Sequence, residues 1–187
     1  MAKPLAKKNI VLGIGGGIAA YKCCELVRLL VKEGADVHCV LTKAGAQFVT
    51  PLTLQTLSKN PVHTDMFNLI QEKEIGHISL ADRADLVLVA PATADLIAKV
   101  SCGICDDLLT TVICATRAPV VFAPSMNVNM WENSITKENV AKLRKHGYQI
   151  IEPVSGDLAC GYEGQGRLPE PADIISKLKS ISMKHEA

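Results

Sequence analysis

The amino-acid sequence predicts an α/β fold, a Rossmann-like parallel sheet in flavodoxin-like strand order with helices on both faces, in a single domain over residues 1–187. Three observations lead to it. Short apolar runs alternate with helical patterns, which is typical of a parallel sheet covered on both sides. Turn-like sequence follows several runs, where such sheets carry their ligand loops. The 187 residues are 48% hydrophobic and 21% charged, which suits one globular core.

The first half of the chain predicts two strand–helix units. "NIVLGI" is a continuous apolar run, as in a strand buried on both faces. Residues 17–33 then show a helical period that puts Ile18 and Tyr21 on its apolar side. "DVHCVLT" predicts the second strand, and residues 45–58 a helix interrupted by a proline. Residues 59–75 are ambiguous and are interpreted as a short strand and a loop.

The second half continues the alternation. "GHISLADRAD" predicts a short helix that leads into "DLVLVAPA", the clearest buried strand. A helix over about 95–115, broken by a glycine, precedes the strand and loop of "APVVFAPSMN". Residues 134–146 predict a helix and "YQIIEP" a strand, while "VSGDLACGYEGQGRLPEP" is turn-rich without a period. Residues 171–182 predict the last helix.

Composition excludes several classes of function. The net charge is +1 and aromatic residues make up 4%, so neither a basic surface nor a stacking platform for nucleic acid is expected. The glycines in the first apolar run favour a strand and turn over a signal peptide, and no other run is long enough to span a membrane. Seven cysteines, several inside apolar segments, indicate buried thiols in the reducing cytoplasm.

The glycine cluster after the first strand predicts a phosphate site. Gly15-x-Gly17-x-x-Ala20 satisfies a loose dinucleotide fingerprint, because glycines let backbone N–H groups approach an anion at a helix start. The alternative is a tight turn without a ligand. A nicotinamide site also needs an acidic residue at the end of the second strand. That strand ends instead in Thr42 and Lys43, so a different phosphate-bearing ligand is favoured.

Two further patterns carry chemistry-bearing side chains. "APSMNVNMWEN" crowds an amide, two methionines and a tryptophan into a strand-end loop. Asn127 can donate its amide to a carboxylate, and the apolar side chains can line a ligand or subunit contact or simply pack on a neighbour. Cys102-x-x-Cys105 lies in a helical stretch without a second pair at ligand spacing, so no metal site is predicted.

Four motifs in order then resemble the homo-oligomeric flavin-containing cysteine decarboxylases. Pro124-x-Met126-Asn127-x-x-Met130-Trp131 resembles their PxMNxxMW motif, and "PATADL" their PASANT motif. "LACGYEGQGRLPEP" resembles their substrate clamp, here about residues 154–170, and "GHISL" the segment of their active-site histidine. The likeness covers a core of about residues 8–180. It points to the branch that acts on 4'-phosphopantothenoylcysteine in coenzyme A synthesis.

The resemblance implies FMN as the cofactor. Asp95 and Gly17 depart from the family pattern, since PASANT has asparagine and relatives often have serine at these positions. Asp95 cannot donate a hydrogen bond as asparagine does unless it is protonated, and Gly17 leaves phosphate binding to backbone N–H groups. The implied cofactor residues are Gly15, Gly16, Gly17, Ile18, Thr42, Thr93, Ala94, Asp95 and Ser125.

The resemblance also implies a reaction. The thiol carbon is oxidised to a thioaldehyde, CO2 leaves, and the ene-thiolate is protonated and reduced to 4'-phosphopantetheine. His77 is the implied acid/base and Cys160 the implied proton donor in the reduction. The implied substrate-binding residues are Asn127, Met126, Met130, Ala159 and Gly161.

The expected partners are a small-molecule substrate and further copies of the chain. The family forms trimers or multiples of trimers, such as dodecamers, and its bacterial members are often fused to a phosphopantothenoylcysteine synthetase. Both a free-standing enzyme and a piece of a bifunctional one fit the sequence. The alternatives are a peptidyl-cysteine decarboxylase, a flavin prenyltransferase and a non-catalytic flavin-binding regulatory subunit.

Overall fold

A parallel sheet forms the centre of the computed structural model, which describes residues 4–67, 76–157, 161 and 163–185. The strands are β1 (Asn9–Ile14), β2 (Asp36–Leu41), β3 (Leu86–Ala92), β4 (Val120–Pro124) and β5 (Gln149–Ile150). They pair in parallel in the order β2-β1-β3-β4-β5. This is the flavodoxin-like order, so the predicted fold class is confirmed.

Helices cover both faces of this sheet. They are α1 (Lys22–Lys32), α2 (Pro51–Ser58), α3 (Gly76–Arg83), α4 (Ala94–Ser101), α5 (Leu108–Ala115), α6 (Val128–Glu132), α7 (Ser134–Lys145) and α8 (Pro171–His185). One layer contains α1, α2 and α8, and the opposite layer contains α3, α4, α5 and α7. Within the described ranges, no helix combines the length and apolar character needed to cross a bilayer.

The buried strands explain the continuous apolar runs. On β1, Ile10, Leu12 and Ile14 pack into the layer of α1, α2 and α8, while Val11 packs into the other. All four side chains have no exposed surface. Because both faces are covered, the strand needs apolar residues at every position rather than at alternate ones.

Three predicted helices or strands differ from the structure. Residues 45–58 are a 3-10 turn at Gly45–Gln47 and then α2, because Pro51 begins a helix at its first position and the Thr50 hydroxyl caps it by accepting from the Thr53 N–H. The break predicted near Gly103 extends over 102–107, which leaves Cys102 and Cys105 outside a helix. The strand predicted from "YQIIEP" is only two residues long.

The turn-rich segment before α8 contains a hairpin that the sequence pattern does not predict. Its antiparallel strands are β6 (Val154–Asp157) and β7 (Glu163–Arg167). Gly156, Gly164 and Gly166 all have positive φ, between 151° and 157°, which other residues rarely adopt. The hairpin therefore carries no apolar alternation that a strand prediction could detect.

Candidate functional site

A cavity of about 1390 Å³ opens at the carboxyl ends of β1, β2, β3 and β4. Parallel α/β sheets bind ligands at this edge, next to the point where the strand order reverses. In this sheet that point lies between β1 and β3. Most of the residues implied by the sequence line it. They are Gly16, Gly17, Ile18, Thr42, Thr93, Ala94, Asp95, Ser125, Met126, Asn127 and Met130.

The glycine loop forms one wall of the cavity by close approach of backbone. A Cβ on Gly15 would lie 2.4 Å from the carbonyl oxygen of Pro91, and one on Gly16 would lie 2.3 Å from the Cβ of Ala44. Gly15 thus serves packing and is not among the lining residues. Gly17 begins the 3-10 turn Ile18–Tyr21 without a side-chain cap.

Two backbone donors at this turn belong to residues that line the cavity. The first bond inside the turn runs from the Ala20 N–H to the Gly17 carbonyl at 2.9 Å. The N–H groups of Ile18 and Ala19 precede that bond and have no acceptor within the helix. Both residues line the cavity. The loop can therefore donate backbone hydrogen bonds to an anion, as the sequence predicts.

The loop after β2 carries no carboxylate toward the cavity. Its lining residues are Thr42, Lys43, Ala44 and Gln47. The Thr42 hydroxyl donates to the Ile14 carbonyl at 3.0 Å and accepts from the Gly45 N–H at 3.0 Å. This side chain fixes the loop against the end of β1. The acid that a dinucleotide site requires is absent from this position.

The Thr93–Asp95 segment begins α4. The Thr93 hydroxyl accepts a hydrogen bond from the Leu96 N–H at 3.2 Å, which caps the helix. The Asp95 carboxylate lies 3.4 Å from the Lys99 Nζ, and Asp106 lies 3.1 Å from the same nitrogen. Asp106 and Asp95 raise the pKa of Lys99. Asp95 is therefore an ion-pair partner of Lys99, a role that asparagine cannot take.

Asn127 stands at the start of α6, three residues after the end of β4. Its Oδ1 accepts from the Asn129 N–H at 2.8 Å and caps the helix. The Nδ2 amide is the only donor group of this side chain and can donate to a carboxylate. The preceding residue is held by a bond from the Met126 N–H to the Gly166 carbonyl at 2.9 Å. The hairpin therefore positions the asparagine loop.

Charged residues that sequence reasoning missed also line the cavity. They include Lys22, Lys99, Asp107, Arg167 and Glu170. Lys22 and Glu170 are 148 residues apart in the chain, and their Nζ and Oε1 atoms lie 2.9 Å apart. No local pattern signals a contact over that distance.

The two implied catalytic residues are placed differently. His77 lies near the start of α3, does not line the cavity, and has a buried Nδ1 without a hydrogen-bond partner among the described residues. Cys160 and Ala159 fall outside the described residues, and Gly161 is described with a φ of 81°. Their implied roles stay predictions.

The other thiols near the sheet are not activated. Burial raises the pKa of Cys23, and it raises the pKa of Cys39 to about 12. The Cys23 Sγ donates to the Ala90 carbonyl at 3.0 Å. These groups stay protonated at neutral pH and serve packing. In the part of the chain that the structure describes, no cluster of three or more His, Cys, Asp or Glu side chains could hold a metal ion.

Comparison with known proteins identifies relatives of the whole chain. The flavoprotein family model matches residues 2–183. The coenzyme A biosynthesis bifunctional protein CoaBC of Vibrio parahaemolyticus is 52% identical over 171 residues, which cover 91% of this chain and 43% of that protein. The Bacillus subtilis protein of that name is 48% identical over 183 residues, covering 98% and 44%. The chain spans less than half the length of these curated relatives.

Solved structures of similar proteins share the fold. A mutant PPC decarboxylase complexed with pantothenoylaminoethenethiol superposes with a TM-score of 0.83 at 31% identity, over 94% of this chain and 98% of that one. The FMN binding protein AtHal3 has a TM-score of 0.80 at 32% identity, over 94% and 96%.

Proposed function

Because the chain belongs to the flavoprotein family, we propose that it binds FMN in the cavity and decarboxylates 4'-phosphopantothenoylcysteine to 4'-phosphopantetheine. One observation carries the proposal. The glycine loop, the Asn127 loop and the base of the β6–β7 hairpin meet in a single cavity. The glycine loop would hold a cofactor phosphate, the Asn127 loop would hold a substrate carboxylate, and the hairpin belongs to the substrate clamp.

The lining suits a flat, partly apolar ring that carries a phosphate. Ile18, Tyr21 and Met130 are large apolar or aromatic side chains, yet they are 57%, 59% and 47% exposed. Exposed apolar side chains around a concave site mark a ligand surface. The N–H groups of Ile18 and Ala19 supply the anion donors. When bound, FMN would supply the two-electron oxidation of the thiol carbon and the later return of those electrons.

The residues of this chain bind the substrate and move protons. The Nδ2 amide of Asn127 donates to the substrate carboxylate and orients the bond that breaks when CO2 leaves. Oxidation of the thiol carbon places a C=S group β to that carboxylate. The C=S group can then accept the electrons of the bond that breaks when CO2 leaves. The resemblance assigns removal of the thiol proton to the His77 imidazole, which does not line the cavity of its own chain. The Cys160 thiol gives a proton to the ene-thiolate as it is reduced.

Several relatives support this substrate class. The bifunctional proteins that this chain resembles are named for coenzyme A biosynthesis, and the PPC decarboxylase structure is complexed with a pantothenoyl compound. We therefore propose a phosphopantothenoylcysteine synthetase, as a domain or a separate protein, as the source of the substrate. We further propose a trimer or a multiple of trimers. Six described cysteines are free, which fits a reducing cytoplasm.

The test is a turnover assay without added oxidant. The purified yellow protein is incubated with 4'-phosphopantothenoylcysteine, and CO2 and 4'-phosphopantetheine are measured. We expect equal amounts of both products, because electrons taken from the substrate are returned to it. FMN binding without turnover would instead support a non-catalytic flavin-binding subunit. Faster turnover of a peptide with C-terminal cysteine would support a peptidyl-cysteine decarboxylase.

A second measurement tests the proton donor. In Cys160→Ser, oxidation and CO2 loss proceed once while the final reduction stalls, so up to one ene-thiol per bound FMN accumulates and is detected by mass spectrometry. Normal product at the normal rate from this variant would refute the role of Cys160. Cys102→Ser is a suitable control, because Cys102 lies just after α4 and does not line the cavity.

A further inference from the structure

Three charged residues meet where the hairpin joins the first helix. Lys22 is the first residue of α1, Arg167 is the last residue of β7, and Glu170 immediately precedes α8. The Lys22 Nζ lies 2.9 Å from the Glu170 Oε1 and the Arg167 Nη2 lies 3.2 Å from the same oxygen. Lys22 also donates to the Leu168 carbonyl at 3.5 Å. One carboxylate oxygen therefore accepts hydrogen bonds from two cations.

Burial makes the lysine dependent on this contact. The Lys22 side chain is only 12% exposed, whereas that of Glu170 is 53% exposed. A largely buried ammonium group needs acceptors in the protein, because water no longer supplies them. The hydrogen bond from Lys22, aided by the charges of Lys22 and Arg167, lowers the pKa of Glu170. The carboxylate thus remains ionised at neutral pH.

The opposite side of β7 is fixed to the asparagine loop. Beside the bond from the Met126 N–H to the Gly166 carbonyl, a Cβ on Gly166 would lie 2.3 Å from the Met126 carbonyl oxygen. The strand is therefore held between the start of α1, next to the glycine loop, and the segment that leads to Asn127. Movement of β7 changes the walls of the cavity on both sides.

We propose that Lys22 is a positioning residue, which holds the hairpin against the start of α1 through its contact with Glu170. This contact keeps the glycine loop and the hairpin in a fixed relative position. This inference rests on the function proposed above, since it concerns the same cavity. Lys22 acts on the substrate through the placement of the hairpin and takes no part in proton transfer. Its loss therefore weakens binding and leaves the chemical step unchanged.

The chain offers a matched control for the ion pair. Lys179 on α8 lies 2.9 Å from Glu33 at the end of α1, so this pair joins the same two helices away from the cavity. Lys179→Gln removes a contact of the same length without altering the cavity wall. Lys22→Gln removes the ion pair with Glu170, and Lys22→Arg keeps the positive charge. Arg167 is less suitable for substitution than Lys22, because its guanidinium also lies against Gly156 of the other hairpin strand. A Cβ on Gly156 would lie 3.5 Å from the Arg167 Nη1.

Two measurements on the full chain test the proposal. In Lys22→Gln, the FMN Kd and the KM for 4'-phosphopantothenoylcysteine are expected to rise about three- to tenfold, with kcat within about twofold, since a single partly exposed charge-assisted contact is lost. Lys22→Arg is expected to restore both values, and Lys179→Gln to leave them unchanged. Since Lys22 acts through Glu170, the double variant Lys22→Gln/Glu170→Gln should raise KM no more than the larger single effect.

Hydrogen exchange provides a readout that needs no ligand. In the FMN-free chain, Lys22→Gln should speed amide exchange in residues 163–168, while Lys179→Gln should not. An equal effect of both lysines, a fall in kcat at constant KM, or unchanged exchange in the hairpin would overturn the proposal. Failure of the wild-type chain to bind FMN or turn over would instead count against the proposed function, and the exchange comparison would still decide the role of Lys22.

Discussion

Gly16→Ala is expected to weaken FMN binding because no space exists for a methyl group beside the glycine loop. A Cβ on Gly16 would lie 2.3 Å from the Cβ of Ala44 and 3.0 Å from its carbonyl carbon. Ordinary contact between carbon atoms begins at about 3.5 Å, so the Ala44 loop must retreat by roughly 1 Å. On Gly17, by contrast, a Cβ would meet nothing nearer than the Pro91 Cγ at 3.7 Å.

The size of the effect follows from the cost of such crowding. Extra carbon atoms in a close-packed site typically cost about 1–3 kcal/mol. Ala44 and Thr42 both line the cavity, so a retreat of their loop changes the wall that the ligand contacts. If the whole cost falls on the bound state, the FMN Kd rises roughly 5- to 150-fold. Gly17→Ala should stay within about twofold, because the φ of Gly17 is −140° and alanine adopts that value readily.

The assay is a titration of FMN-free protein followed by quenching of flavin fluorescence. Melting temperatures of the FMN-free variants show whether the crowding already destabilises the fold. Equal Kd values together with equal melting temperatures for wild type and Gly16→Ala would refute the argument from space. A loss of FMN affinity in Gly17→Ala as large as in Gly16→Ala would also refute it. That result would show that glycine is needed for a reason other than lack of space for a methyl group.

Three further predictions concern single side chains. Burial lowers the pKa of His38 against the opposing charge of Asp36, so the unfolded chain binds a proton that the folded chain does not. The contribution of His38 to the free energy of unfolding should therefore be constant above about pH 7 and decrease as the pH falls through the lowered pKa. Urea titrations at several pH values test this, and His38→Gln should remove that dependence. Asp107→Ala removes the cap of α5 and should lower the melting temperature by about 2–4 °C, the equivalent of roughly 1 kcal/mol; an unchanged melting temperature would contradict the cap's contribution. Asp95→Asn should change the free energy of unfolding by less than about 0.5 kcal/mol, because a 68%-exposed carboxylate gains little from Lys99; a larger loss in denaturant titrations would show that the pair matters to the fold.

The strands could be predicted from the sequence because burial on both faces leaves a local signal, whereas the first turn after the glycine loop could not. Its helical period predicts Ile18 and Tyr21 on the core side, but both are more than half exposed and line the cavity. This turn lies at the carboxyl end of β1, where the sheet no longer covers it. Apolar period alone does not distinguish a core face from a ligand-facing one.

The hairpin could not be predicted because its stability comes from contacts that are distant in sequence. A Cβ on Gly164 would lie 2.8 Å from the Val128 Cγ2, so the glycine is required by a neighbour on α6 and not by local strand preference. The ion pair of Lys22 with Glu170 likewise has no local signature. The motifs around Thr93 and Asn127 predicted loops that line the cavity, but they gave no signal for these two contacts, which hold the loops together.

The contacts at the end of β2 show how the loop after β2 is packed against the glycine loop. The Thr42 N–H and hydroxyl both donate to the Ile14 carbonyl, at 3.1 and 3.0 Å, which draws the loop after β2 against the end of β1. A Cβ on Gly45 would lie 2.6 Å from that same carbonyl oxygen, and Gly16 is packed against Ala44. The end of β2, where a dinucleotide site presents its ribose-binding acid, carries Thr42 and Lys43 at the cavity instead of a carboxylate. The glycines that imitate a dinucleotide fingerprint are needed here for this packing, and the backbone donors of Ile18 and Ala19 remain suited to one phosphate group.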